Sequence, residues 1–72
     1  MIVVGTVKWF SREQGQGFIA VDGGQDVFVH FRAVQDSGLS ELRPGQRVEF
    51  DLAEDHEGHT RRAVQLRLLD PG

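Results

Sequence analysis

The chain has 72 residues, no cysteine, and eight Lys and Arg against eleven Asp and Glu, for a formal net charge of −3. At this length only about 60% of the unfolded chain's surface can be buried, so the core must be small and each large residue outside it carries information. The composition excludes disulfide staples, thiolate metal sites and cysteine nucleophiles; no apolar run approaches the roughly 18 residues that span a bilayer; and Ile2-Val3-Val4 lacks the basic flank of a signal peptide. One domain over residues 1–72, in the cytoplasm, is the expectation.

In chain order, the first apolar segment is Val3–Phe10, ended by the turn signal Gln14-Gly15-Gln16-Gly17. The second, Gln16–Asp22, sets Gly17, Ile19 and Val21 opposite Gln16, Phe18 and Ala20. After Asp22-Gly23-Gly24 comes Asp26–Phe31, with Val27, Val29 and Phe31 on one side and Phe28 and His30 on the other. Ala33-Val34-Gln35 has room for at most one helical turn, and a long break from Asp36 to Gly45 follows, with Pro44 inside it. Gln46–Ala53 alternates Val48, Phe50 and Leu52 with Glu49, Asp51 and Ala53, the pattern of a half-buried strand with an acidic outer side. The last segment, Arg61–Leu69, can turn Val64, Leu66 and Leu68 inward and Ala63, Gln65 and Arg67 outward.

Short strands without an amphipathic helix predict an all-β fold, a five-stranded antiparallel barrel closed so that no sheet edge is left open. Val7, Ile19, Val27, Val29, Val48, Phe50 and Val64 would fill its interior. Phe18, Phe28 and His30 then fall outside on neighbouring strands, as one patch of flat rings. Unstacked bases suit such a patch, because every base has a π-face, and one base–ring stack is worth roughly 1–3 kcal/mol.

Charge is distributed unevenly. Residues 1–32 are neutral overall, residues 33–60 carry −5 and residues 61–72 carry +2, so a locally positive face survives the net acidity. Other signals are weak. Gly15-Gln16-Gly17 lacks the third glycine and the following helix of a nucleotide loop. His56-Glu57-Gly58-His59 is one residue short of the H-E-x-x-H zinc motif. Glu49, Asp51, Glu54 and Asp55 read as a solvated, repulsive face, and no serine has histidine and acid partners at nucleophile spacing. No enzyme, cofactor or metal is expected.

Val7-Lys8-Trp9-Phe10, Gln14-Gly15-Gln16-Gly17-Phe18-Ile19 and Asp26-Val27-Phe28-Val29-His30-Phe31, with Ala33-Val34-Gln35 and Val48-Glu49-Phe50 behind them, resemble the cold-shock domain in order and spacing. The resemblance implies an OB-fold barrel that binds single-stranded RNA and DNA. By position it puts Lys8, Trp9, Phe18, Phe28, His30 and Phe31 on the binding face, with Phe10 at its border and Asp26 against a base edge. Lys8 and Trp9 can share a side only if the first strand bulges. Where relatives read K-G-F-G-F, Gln14 replaces the lysine and Gln16 the first aromatic. Leu39 replaces a loop aromatic, and His59 falls near a commonly basic position. Gln16 can still hydrogen-bond, Leu39 can pack on a base, and Arg32 can stack its guanidinium. The expected function is an RNA chaperone or a regulator of transcription or translation, weaker in affinity than full-motif relatives. A protein-interaction or self-associating module that lost part of its nucleic-acid surface is the alternative. A monomer is expected, with a dimer as the other possibility, and neither a membrane nor a small-molecule substrate as partner.

Overall fold

β-branched and aromatic residues at every second position build the strands, and glycines in the left-handed region turn the chain between them. The computed structural model describes residues 2–54 and 61–69. Its elements are β1 (Ile2–Ser11), β2 (Gln16–Val21), β3 (Asp26–His30), the helix α1 (Phe31–Asp36), β4 (Arg47–Glu54) and β5 (Arg61–Leu68). The strands close into a barrel in the order β1-β2-β3-β5-β4. All pairings are antiparallel except the closing seam, where β3 and β5 run parallel with Phe28 beside Arg62. The five-stranded all-β barrel expected from alternation is therefore present. None of the described residues lies in a helix long and apolar enough to cross a membrane.

Ile19, Val29, Val34 and Val48 are fully buried, and Val7, Val27, Leu42, Phe50, Ala63 and Leu66 are nearly so. Two features of this core depart from simple alternation. In β5, Ala63 and Leu66 point inward, three positions apart, while Val64 is only half-buried and Leu68 is exposed. The cause is Gln65, whose φ of 53° is left-handed. The register between β4 and β5 shifts there, so that Glu49 faces Arg67 but Asp51 faces Val64. A bulge puts two residues opposite one and reverses the phase of everything before it. The expectation of Val64 inward and Ala63 outward is thereby corrected. The second departure is at Phe31, which leaves β3 and opens α1, so it does not continue the inward row of Val27 and Val29.

The helix α1, six residues long, exceeds the single turn expected and is held at both ends. At its start, the His30 side chain accepts from the Arg32 backbone N–H. At its end, Gly38 has φ +81°, its N–H donates to Gln35 O, and the Leu39 N–H donates to Val34 O. This is a Schellman closure, which needs glycine at the left-handed position and brings the next residue back against the helix. Leu39 accordingly packs on the core cluster that contains Val34. Ser37 ties the helix to the barrel wall: its hydroxyl donates to Ala33 O at 2.7 Å and accepts from the Leu66 N–H at 2.8 Å.

Away from the rings the barrel surface is ionic. Arg47 grips Asp22 through two bonds of 2.8 and 2.7 Å and also donates to Thr6 Oγ1, fastening the turn after β2 to β4 across β1. The hydrogen bonds from Arg47 hold the Asp22 carboxyl below its ordinary pKa of 3.8. Glu49 pairs with Arg67 and Glu54 with Arg61. Glu49 and Glu54 of β4 are thus offset by arginines of β5, which corrects the reading of this face as simply repulsive; Asp55 lies outside the described residues.

Candidate nucleic-acid interface

Register across three strands assembles the ring surface. Trp9 on β1 faces Phe18 on β2, and Phe18 faces Phe28 on β3. A second row, one step toward the turn after β1, runs Ser11, Gln16, His30. The rings form an unbroken chain: Trp9 to Phe18 at 5.6 Å between centroids, Phe18 to Phe28 at 5.8 Å edge-on, and Phe28 to His30 at 6.3 Å. These are the separations and tilts at which aromatic quadrupoles attract. Each ring therefore braces the next, and none of the four is buried. Trp9 is 38% exposed, Phe18 and Phe28 are half-buried, and His30 is exposed.

Trp9 reaches this chain because β1 bulges. Val7 faces Ile19, but Trp9 faces Phe18, so Lys8 is the extra residue. Lys8 and Trp9 are both exposed as a result, while Val7 before them is buried. Gly17 makes the neighbouring geometry possible. A Cβ there would lie 2.4 Å from the Trp9 carbonyl oxygen and 2.8 Å from Phe10 Cδ1, so only glycine lets β1 approach β2 so closely.

The remaining expected residues divide into groups. Phe10 packs partly on the core and pairs with Phe31 at 6.5 Å, forming a second ring pair apart from the main chain. Lys8 Nζ donates to Asp26 Oδ2 at 2.8 Å, so its charge is shared with an exposed carboxylate on β3. Gln16 is half-buried beside His30. On His30, Nδ1 accepts from the Arg32 N–H, which makes Nε2 the ring's remaining donor. Arg32 is exposed at the start of α1. Leu39 is half-buried and packs against the core cluster, drawn there by the helix closure. His56 and His59 lie outside the described residues, and among the described residues no cluster of three His, Cys, Asp or Glu could hold a metal. Sequence reasoning assigned no role to Arg62, although it sits directly beside Phe28 across the parallel seam.

A closed barrel of this order, carrying a ring chain on three adjacent strands, is the architecture of a nucleic-acid-binding OB-type domain. The family model for the 'cold-shock' DNA-binding domain matches residues 3–67. Among curated proteins, a major cold shock protein of Streptococcus pyogenes serotype M6 is 56% identical over 54 residues, which is 75% of this chain and 81% of that protein. The cold shock-like protein CspLB of Listeria monocytogenes is 56% identical over 75% of this chain and 82% of its own. The cold shock protein CspB of Geobacillus stearothermophilus is 52% identical over the same shares. The chain belongs to the family of the 'cold-shock' DNA-binding domain.

Proposed function

We propose that this chain captures unpaired RNA and DNA by stacking bases on Trp9, Phe18, Phe28 and His30, and that it acts as an RNA chaperone. The observation that carries this reading is the unbroken ring chain across β1, β2 and β3, at spacings of 5.6 to 6.3 Å. Flat rings accept any base, so binding is tolerant of sequence. Binding only the unpaired state shifts a hairpin toward its open form by mass action, so neither ATP nor metal is required. Asp26 supplies an acceptor for a base edge, and Gln16 and the His30 Nε2–H supply polar contacts beside the rings.

Affinity is lower than in relatives with a complete aromatic motif. Gln14 and Gln16 stand where such relatives carry a lysine and a ring, and Leu39, where they carry a loop aromatic, is partly buried against the core. Each lost stack removes about 1–3 kcal/mol. With few cations available, only about 2–3 phosphates are neutralised, and the salt dependence is shallow.

Trp9 is the natural reporter. Titration with single-stranded oligomers of about seven nucleotides should quench its fluorescence to saturation at micromolar concentration, and Phe28→Ala should weaken binding by about 5- to 150-fold. An unresponsive Trp9 together with concentration-dependent dimerisation would reject this function in favour of a self-associating module.

A further inference from the structure

Eight cations are present in the chain, and their partners decide which can meet a ligand. Lys8, Arg43, Arg47, Arg61 and Arg67 each hold a carboxylate, on Asp26, Glu41, Asp22, Glu54 and Glu49. Among the described residues Arg12, Arg32 and Arg62 form no ion pair. Arg12 is in the turn after β1, whereas Arg32 and Arg62 line one groove of about 580 Å³ between α1 and β5. His30, the last ring of the chain, lines the same groove. Asp36 is there too, without an ion pair to either arginine, and leaves one positive charge in excess.

Register connects this groove to the rings. The cross-strand row Trp9, Phe18, Phe28 continues over the parallel seam as Arg62. Four neighbouring strands therefore present, in one line, three aromatic planes and a guanidinium, and a guanidinium plane both stacks on a base and forks onto a phosphate. The bulge at Gln65 shapes the groove by directing Ala63 inward and leaving Val64 as part of its apolar wall. Ser37 holds its two sides together through bonds to Ala33 and Leu66.

We infer that the groove between α1 and β5 extends the nucleic-acid path beyond the rings, taking the phosphodiester next to the base stacked on His30 between Arg32 and Arg62. The inference rests on the stacking function proposed above and adds a phosphate site to it. An anionic strand suits the groove because its two guanidiniums form no ion pair among the described residues and its excess charge is positive. These two contacts would supply most of the shallow salt dependence of binding.

The test compares the wild-type protein with the double variant Arg32→Gln/Arg62→Gln. Trp9 fluorescence is titrated with a single-stranded heptamer between about 50 and 400 mM salt. Single strands lose about 0.7 in the slope of log K against log salt per phosphate released, so the double variant should be shallower by about 1.4. Its affinity should be about 20-fold weaker at the lowest salt and converge with wild type at the highest, with the saturating quench unchanged. Arg67→Gln, which removes a paired charge elsewhere on the barrel, should leave the slope as it is. Superimposable titrations of wild type and double variant, as expected if the groove serves an acidic peptide instead, would overturn the phosphate site while leaving base stacking intact. An equal effect from Arg67→Gln would overturn it as well, by assigning the loss to bulk charge. Failure of wild type to quench at all would reject the stacking function and the groove with it.

Discussion

Gln16→Phe tests the link between ring count and affinity by a gain, so loss of fold cannot imitate the result. Gln16 is half-buried on β2, between Ser11 on β1 and His30 on β3, and on the same side as Phe18. Ser11 is small, so an aromatic ring at position 16 has room toward β1 and can lie beside His30. One added base stack contributes about 1–3 kcal/mol. From this must be subtracted the polar contact proposed for Gln16 with the ligand, about 0.5–1.5 kcal/mol. The net gain of about 0.5–1.5 kcal/mol corresponds to a dissociation constant roughly 2- to 12-fold lower. The new ring is uncharged, so the plot of log K against log salt should move up without changing slope. Stability should hold or rise slightly, because an aromatic cross-strand pair contributes about 0.2–1 kcal/mol. Trp9 fluorescence titration with a heptamer at several salt concentrations, beside a thermal melt, provides both readouts. An unchanged dissociation constant in a variant that melts no lower than wild type would refute the argument that position 16 limits affinity.

Gly17→Ala should cost at least about 3 kcal/mol, because its Cβ would meet the Trp9 carbonyl oxygen at 2.4 Å and Phe10 Cα at 2.9 Å, both backbone atoms that cannot yield separately; a denaturant midpoint close to wild type would contradict the close-approach argument. Gln65→Gly should stabilise by about 0.5–1 kcal/mol, raising the melting temperature by about 2–8 °C, since the native φ of 53° is unfavourable for a residue with a Cβ. Gln65→Val should lower it. Asp22→Asn should be less stable than wild type at neutral pH, with the difference closing in acid. The sign follows from the depressed pKa: the carboxylate's contribution is complete above its ordinary value of 3.8 and is lost as pH falls through the lower folded value. Melting curves recorded from about pH 7 to pH 2 would expose a difference that fails to close.

Much of the barrel was legible because period-two alternation reports directly on what faces inward. Val7, Ile19, Val27, Val29, Val48 and Phe50 were all assigned to the interior from pattern, and all are buried. Ring positions 18, 28 and 30 were readable for the same reason, since a strand that buries Val27 and Val29 must turn Phe28 and His30 away. Val64 was misassigned because alternation presumes a uniform extended backbone, and one left-handed residue at Gln65 reverses the phase before it. Leu39 offered no warning in its own identity. Its direction follows from Gly38 and the helix closure that returns the Leu39 N–H to Val34 O, a motif visible only once α1 is known to end at Asp36.

Composition and order along the chain determined the class of fold, the interior residues of the regular strands and the rings excluded from them. These are local consequences, set by side-chain size, polarity and a two-residue period. Folding alone decided which strands became neighbours, and with that which charges were cancelled and which, among the described residues, stayed out of ion pairs. Lys8 met Asp26 from a strand 18 residues away, while Arg62 came to rest beside Phe28 across a parallel seam that no turn in the sequence announces. Coulombic and stacking partners are chosen by distance in space, and only closure of the barrel fixes that distance.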